Sequence, residues 1–133
     1  MKFYPKNKLS ARGKIYKELD ARMFKILKKE RGAVCEIHNK ACPKLGQMHI
    51  LSKGAHPRLR YCKENIILAG WFCSHFYTHH NPDDKRSVYT KQRIIEIMGE
   101  DYIEQLLKLE VIQPKQTMTF LNILLIVFRQ EVE

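Results

Sequence analysis

The sequence predicts an α+β domain: a small two-stranded unit with a short helix behind it, flanked by further helices on both sides. Two observations carry that expectation. Helical periodicity governs residues 10–31, disappears between Val34 and Leu68, and returns from Phe72 onward. At 133 residues the chain has room for one hydrophobic core and not for two. The whole of 1–133 therefore reads as one domain in three parts: a basic N-terminal helix within 1–33, a central core over 34–83 and C-terminal helices over 84–133.

In the first part Ile15, Leu19, Met23, Phe24, Ile26 and Leu27 recur at helical spacing, with Ser10 placed to cap the helix and Gly32 to end it. In the second, the short apolar runs Gln47–Leu51 and Ile66–Leu68 are separated by Gly, Pro, Ser and Lys, so two short strands joined by a long loop are expected. A helix from about Phe72 to His80 follows and stops at Asn81-Pro82, because a residue before proline is pushed out of helical geometry. In the third part Ser87 is placed to cap a helix carrying Val88, Ile94, Ile95 and Met98. Gly99 breaks it, and Tyr102, Ile103, Leu106, Leu107 and Leu109 resume the pattern. Pro114 precedes a last helix from near Thr117, whose apolar face must pack either on the domain or on a second copy of the chain.

Lys and Arg number 24 against 14 Asp and Glu, for a net charge of +10. A polyanion is the natural partner, nucleic acid before an acidic membrane. The charge is concentrated: residues 1–60 hold 16 basic and 4 acidic side chains, residues 61–133 hold 8 and 10. The N-terminal half should face the phosphates. Charge alone does not separate catalysis from passive binding, since both draw on the same counterion release. Phe120 to Phe128, the most apolar run, is too short to span a bilayer. With no secretory leader at the start, a cytoplasmic protein without a membrane partner is expected.

Four cysteines, Cys35, Cys42, Cys62 and Cys73, suggest free thiols or a partial zinc knuckle in a reducing compartment. The segment Ser74-His75-Phe76-Tyr77-Thr78-His79-His80 sets His75 and His79 four residues apart, on one helical face where two imidazoles can grip one metal ion. His80 reads as a neighbour. His49 lies on the first expected strand, and Asn65 opens the second. Each alone is as readily a core or turn residue as a functional one; strand, loop and helix carrying His, Asn and His in that order is a more specific pattern.

That pattern resembles the HNH, or ββα-metal, endonuclease superfamily, and within it the phage NinG/Rap-like recombination endonucleases. The matching residues are Cys35-Glu36-Ile37-His38, Gly46 to Ile50, His56-Pro57-Arg58-Leu59-Arg60-Tyr61, Asn65-Ile66, Cys73 to His79, Asn81-Pro82, Ile97-Met98-Gly99 and Tyr102 to Leu107. They cover about 34–110. The resemblance implies a ββα-metal finger core, His49 as general base, Asn65 as the brace of its loop, and His75 and His79 as ligands of one catalytic divalent metal. It also implies cleavage of DNA to a 5′-phosphate and a 3′-hydroxyl, with branched recombination intermediates among the substrates and, for a phage protein, the host cytoplasm as its place of action. Lys53, Arg58 and Arg60 are candidates to hold flanking phosphates.

Two departures from the family pattern matter. Met48 stands where many relatives have an acidic or histidine ligand, which leaves mainly imidazole and water for the metal. That set suits manganese, nickel or zinc better than magnesium. The paired cysteines of the usual zinc knuckle are also broken. A structural zinc site would need Cys35, His38 or Cys42, and Cys73, and apolar packing by Trp71 and Phe72 is the expected substitute. Cys62 has no partner by spacing. Both departures keep a second function open, a DNA-binding module that retains the scaffold without the chemistry. A third is a basic helical protein whose last helix pairs with a partner. A homodimer would suit a two-fold symmetric DNA junction.

Overall fold

Helix α1 (Ala11–Arg31) starts where Ser10 offers its hydroxyl oxygen to the Gly13 N–H at 3.0 Å. It ends at Gly32, whose φ of 86° turns the chain out of the helix while its N–H still reaches the Lys28 carbonyl at 2.9 Å. The computed structural model describes residues 9–78 and 84–132. Leu19, Met23, Ile26 and Leu27 line the buried stripe of α1.

Strands β1 (Gly46–His49) and β2 (Ile66–Ala69) pair antiparallel, Gly46 opposite Ala69 and His49 opposite Ile66. The first strand is shorter at its C-terminal end than its apolar run suggests, because the Leu51 N–H goes to the side chain of Asn65 instead of to a ladder partner. All four residues of β2 are buried. Alternation sends Ile66 and Leu68 toward α1, and Ile67 and Ala69 to the opposite side.

Helix α2 (Trp71–Thr78) follows β2 directly. The expected extension to His80 and the stop at Asn81-Pro82 lie outside the described residues. Helix α3 (Lys85–Met98) is capped by Asp84, whose carboxylate accepts the Arg86 N–H at 2.8 Å. The expected cap, Ser87, is instead the third residue of the helix and buried. The aspartate three positions earlier already satisfies a first-turn amide, so the helix begins there.

Gly99, at φ 100°, ends α3, and α4 (Tyr102–Ile112) resumes. Helix α5 (Met118–Val132) begins after Thr117, whose hydroxyl oxygen accepts the Phe120 N–H at 3.1 Å. Its Leu121, Leu125 and Phe128 pack with the α1 stripe and the outer face of β2, so the apolar face seats on the domain itself. Across the same joint Glu18 takes two hydrogen bonds from Arg129, at 2.8 and 2.9 Å. With Arg129 as the main cause, the Glu18 carboxyl is held down to about 2.

The other side of β2 belongs to a second cluster that includes Cys35, Ile37, Met48, Leu59, Ile67, Cys73, Ile94, Tyr102 and Leu106. The described residues thus form a mixed α+β fold of five helices and one two-stranded antiparallel sheet. None of these helices is long and apolar enough to cross a membrane.

Candidate active site and metal cluster

The loop between the strands, residues 50–65, is organised by one buried side chain. Asn65 is 0% exposed. Its Oδ1 accepts the Leu51 N–H at 2.8 Å, and its Nδ2 donates to the carbonyls of Leu51 at 2.9 Å and Leu59 at 3.3 Å. The Asn65 carbonyl accepts the Ile50 N–H at 2.9 Å. Start, middle and end of the loop are tied to one residue. His56, to which the sequence alone assigns no role, fastens the same loop to α4 by donating from Nδ1 to the Glu110 carboxylate at 2.9 Å.

His49 closes β1 with its Nε2 2.9 Å from the Arg60 carbonyl. A carbonyl only accepts, so Nε2 carries the ring proton and Nδ1 keeps a lone pair. Burial lowers the pKa of this imidazole below its ordinary 6.5; the Arg60 carbonyl opposes that shift and the charge of Lys53 adds to it. At neutral pH the ring is therefore neutral, fixed in one tautomer, and able to take a proton at Nδ1. It lines a cavity of about 610 Å³ with Tyr77 from α2, Lys91 from α3 and Glu100.

Arg60 contributes to this arrangement through its backbone. Its guanidinium donates twice to Asp20 of α1, at 3.2 and 2.7 Å, and lies 4.0 Å from the Tyr16 ring centroid. Tyr61 donates to the same carboxylate at 2.8 Å. Of the residues expected to hold flanking phosphates, Arg60 thus has its fork on an internal carboxylate and a side chain only 16% exposed. Lys53 is exposed and Arg58 half-buried, on the same loop.

Along α2 the side chains divide. Cys73 and Tyr77 face the domain: Cys73 is buried, and the Tyr77 hydroxyl donates to the Ile50 carbonyl at 3.0 Å. His75 stacks on Trp71, ring centroids 5.0 Å apart at 18°, and is absent from the described lining of the His49 cavity. His79, the other expected ligand, lies outside the described residues. Trp71 and Phe72, expected to pack inward in place of a knuckle, are instead 50% and 62% exposed. The inward positions of this helix are already taken by Cys73 and Tyr77.

The cysteines are gathered. A turn from Cys35 to Lys40, closed by the Cys35 N–H to the Lys40 carbonyl at 2.9 Å, swings His38 back over the thiols. Cys35, His38 and Cys42 place their donor atoms within 4.8 Å of one another, a cluster that could hold a metal ion such as zinc. Cys73 joins from α2, its Sγ 3.7 Å from that of Cys35 and 3.2 Å from His38 Nδ1. His38 Nδ1 lies 3.4 Å from Cys42 and 3.9 Å from Cys35. With Zn–S about 2.3 Å and Zn–N about 2.0–2.1 Å, the edges of a zinc tetrahedron are roughly 3.4–3.8 Å; the 3.4 and 3.7 Å spacings fall in that range, and those of 3.2 and 3.9 Å lie within a few tenths of an ångström of it.

Burial works against ionising Cys35, but N–H groups of Gly70 and His38 and the neighbouring thiols outweigh it and bring its pKa below the ordinary thiol value. Burial, and then the hydrogen bond with Cys35 and its charge, push Cys73 up to about 12. Among the described residues there is no second grouping of three or more donors. Cys62 stands apart, its thiol donating to Glu64 at 3.1 Å.

No family model matches the chain, and comparison with curated proteins and with solved structures finds no match.

Proposed function

We propose that the chain is a metal-dependent HNH (ββα-metal) endonuclease that hydrolyses phosphodiester bonds in DNA, and that Cys35, His38, Cys42 and Cys73 hold a structural zinc ion. The observation that carries the nuclease reading is the His49 imidazole, neutral and anchored through Nε2 on the Arg60 carbonyl, in a loop that Asn65 braces from within. Strand, braced loop, strand and helix follow in the order a ββα-metal core requires.

In this reading Nδ1 of His49 takes a proton from water, and the hydroxide formed attacks phosphorus in line with the departing sugar oxygen. Lys53 and Arg58, together with the basic α1, draw the phosphates in. A bound divalent metal would offset charge on the phosphate and leaving-group oxygens. The described residues do not gather its expected ligand set, so the chemistry derived from this chain is that of His49. For zinc the donors do fit, and the ion would pin the turn after α1 to the start of α2.

Plasmid nicking by wild type and His49→Ala, with divalent metals added one at a time, tests the reading. Nicking by wild type that vanishes in the variant supports it; nicking that survives removes His49 as base. No nicking by wild type with any metal favours the second reading, a DNA-binding module without catalysis. The buried Met48 beside His49 and the stacking of His75 on Trp71 speak for that alternative.

A further inference from the structure

We infer that the face of α2 and α3 beside the cysteine–histidine cluster binds single-stranded nucleic acid by stacking unpaired bases on Trp71, Phe72 and Tyr89. These three aromatic side chains are 50%, 62% and 46% exposed. They form one surface rather than scattered residues. Trp71 and Phe72 meet edge to face at 5.1 Å, and His75 stacks on the indole at 5.0 Å. Phe72 and Tyr89 line one cavity of about 280 Å³ between the two helices, and Tyr89 is itself backed by the His38 ring at 5.7 Å and 21°.

Charge selects the occupant. Lys85 and Arg86 edge that cavity, and the Lys44 ammonium lies 6.0 Å from the Trp71 ring centroid. Arg86 shares its charge with Asp84, which leaves Lys44 and Lys85 as the principal cations of the rim. Flat rings flanked by cations match a strand that presents a π-face and a phosphate at every residue. A duplex buries those faces in its own stack, so only unpaired bases can use this surface. The exposed apolar residues of α4 (Ile103, Leu107, Val111 and Ile112) and of α5 (Ile123, Ile126 and Val127) are aliphatic and offer no ring to stack on.

This inference does not depend on the chemistry of His49, and its test is separable from the nicking assay. Trp71 is the single tryptophan of the chain, so its emission reports contact directly. The full chain carrying His49→Ala, without added divalent metal, is titrated with a short oligothymidylate, an abasic oligonucleotide of equal length, and a duplex. Saturable quenching is expected with the oligothymidylate and not with the abasic strand, and the duplex should bind more weakly. Phe72→Ala and Tyr89→Ala should each weaken oligothymidylate binding by about 5-fold or more, as loss of one base stack requires. Lys85→Glu, on the exposed rim, should weaken it also, and thermal melting of each variant separates this from unfolding. Equal affinity for the abasic strand, binding without a change in Trp71 emission, a preference for duplex, or no binding at all would overturn the inference.

Discussion

Asn65 holds both sides of one peptide position, accepting the Leu51 N–H at 2.8 Å and donating to the Leu51 carbonyl at 2.9 Å. The side chain acts as a substitute strand residue at the point where β1 lets go of β2. Asn65→Ala would strip three hydrogen bonds from a site with no exposure and leave backbone groups unpaired. The expected loss is about 2–4 kcal/mol, measurable by urea unfolding. Asn65→Asp keeps the acceptor but not the two donor bonds, and should fall between wild type and the alanine variant when measured at a pH where the aspartate is charged only in part.

The second prediction concerns pH. Burial depresses the His49 pKa from 6.5, so the folded chain binds this proton less readily than the unfolded one. The stability linked to this group is then complete above the unfolded value near 6.5 and is lost as pH falls toward the folded value. His49→Gln should flatten that part of the stability–pH curve. If His49 is the base, the acid limb of the nicking rate lies below 6.5, and a limb above 6.5 would rule this assignment out.

Metal content separates the four cysteines. One zinc per chain is expected for the wild type by elemental analysis, and Cys73→Ser or Cys35→Ser should lose it and melt earlier. Cys62→Ser should keep its zinc, because that thiol bonds to Glu64 and not to the cluster. Burial, helped by Glu64, pushes the Cys62 thiol up to about 12, so it should resist thiol reagents in the folded protein. Chelation should expose the other three before it exposes Cys62.

Gly70 offers a different probe of the same cluster. A Cβ there would come within 2.7 Å of Cys42 Cβ and 3.2 Å of the Pro43 carbonyl oxygen, with β2 on one side and α2 on the other. Gly70→Ala should therefore lower zinc affinity by displacing Cys42 without replacing any ligand, read as release at a lower chelator concentration. Gly46→Ala, where a Cβ meets nothing within 4 Å, serves as the control.

Local chemistry was legible in the sequence and long-range pairing was not. The cap at Ser10, the break at Gly32 and the break at Gly99 follow from residues within one turn of the feature. Asp84 and Ser87 are both good capping residues, and only the position of the first turn, which the sequence does not fix, decides between them. The pairing of Arg60 with Asp20 is not legible in the sequence, because the two residues stand 40 positions apart. The exposure of Trp71 and Phe72 was hidden for the same reason. Which face of α2 turns inward depends on Cys73 meeting Cys35, 38 positions away; the sequence offers the two as partners in a zinc site, but the broken knuckle spacing does not favour that meeting over inward packing of Trp71 and Phe72.

Strand β2 sends alternate side chains into two hydrophobic clusters, one shared with α1 and α5, the other with the cysteines and α4. Four residues thus form a party wall, and neither room can be vacated without opening the other. Leu121→Ala at the far end of the chain should for this reason raise amide hydrogen exchange at Asn65 and Cys35 as well as within α5, and a heated sample should show one melting step for the terminal helices and the cluster together.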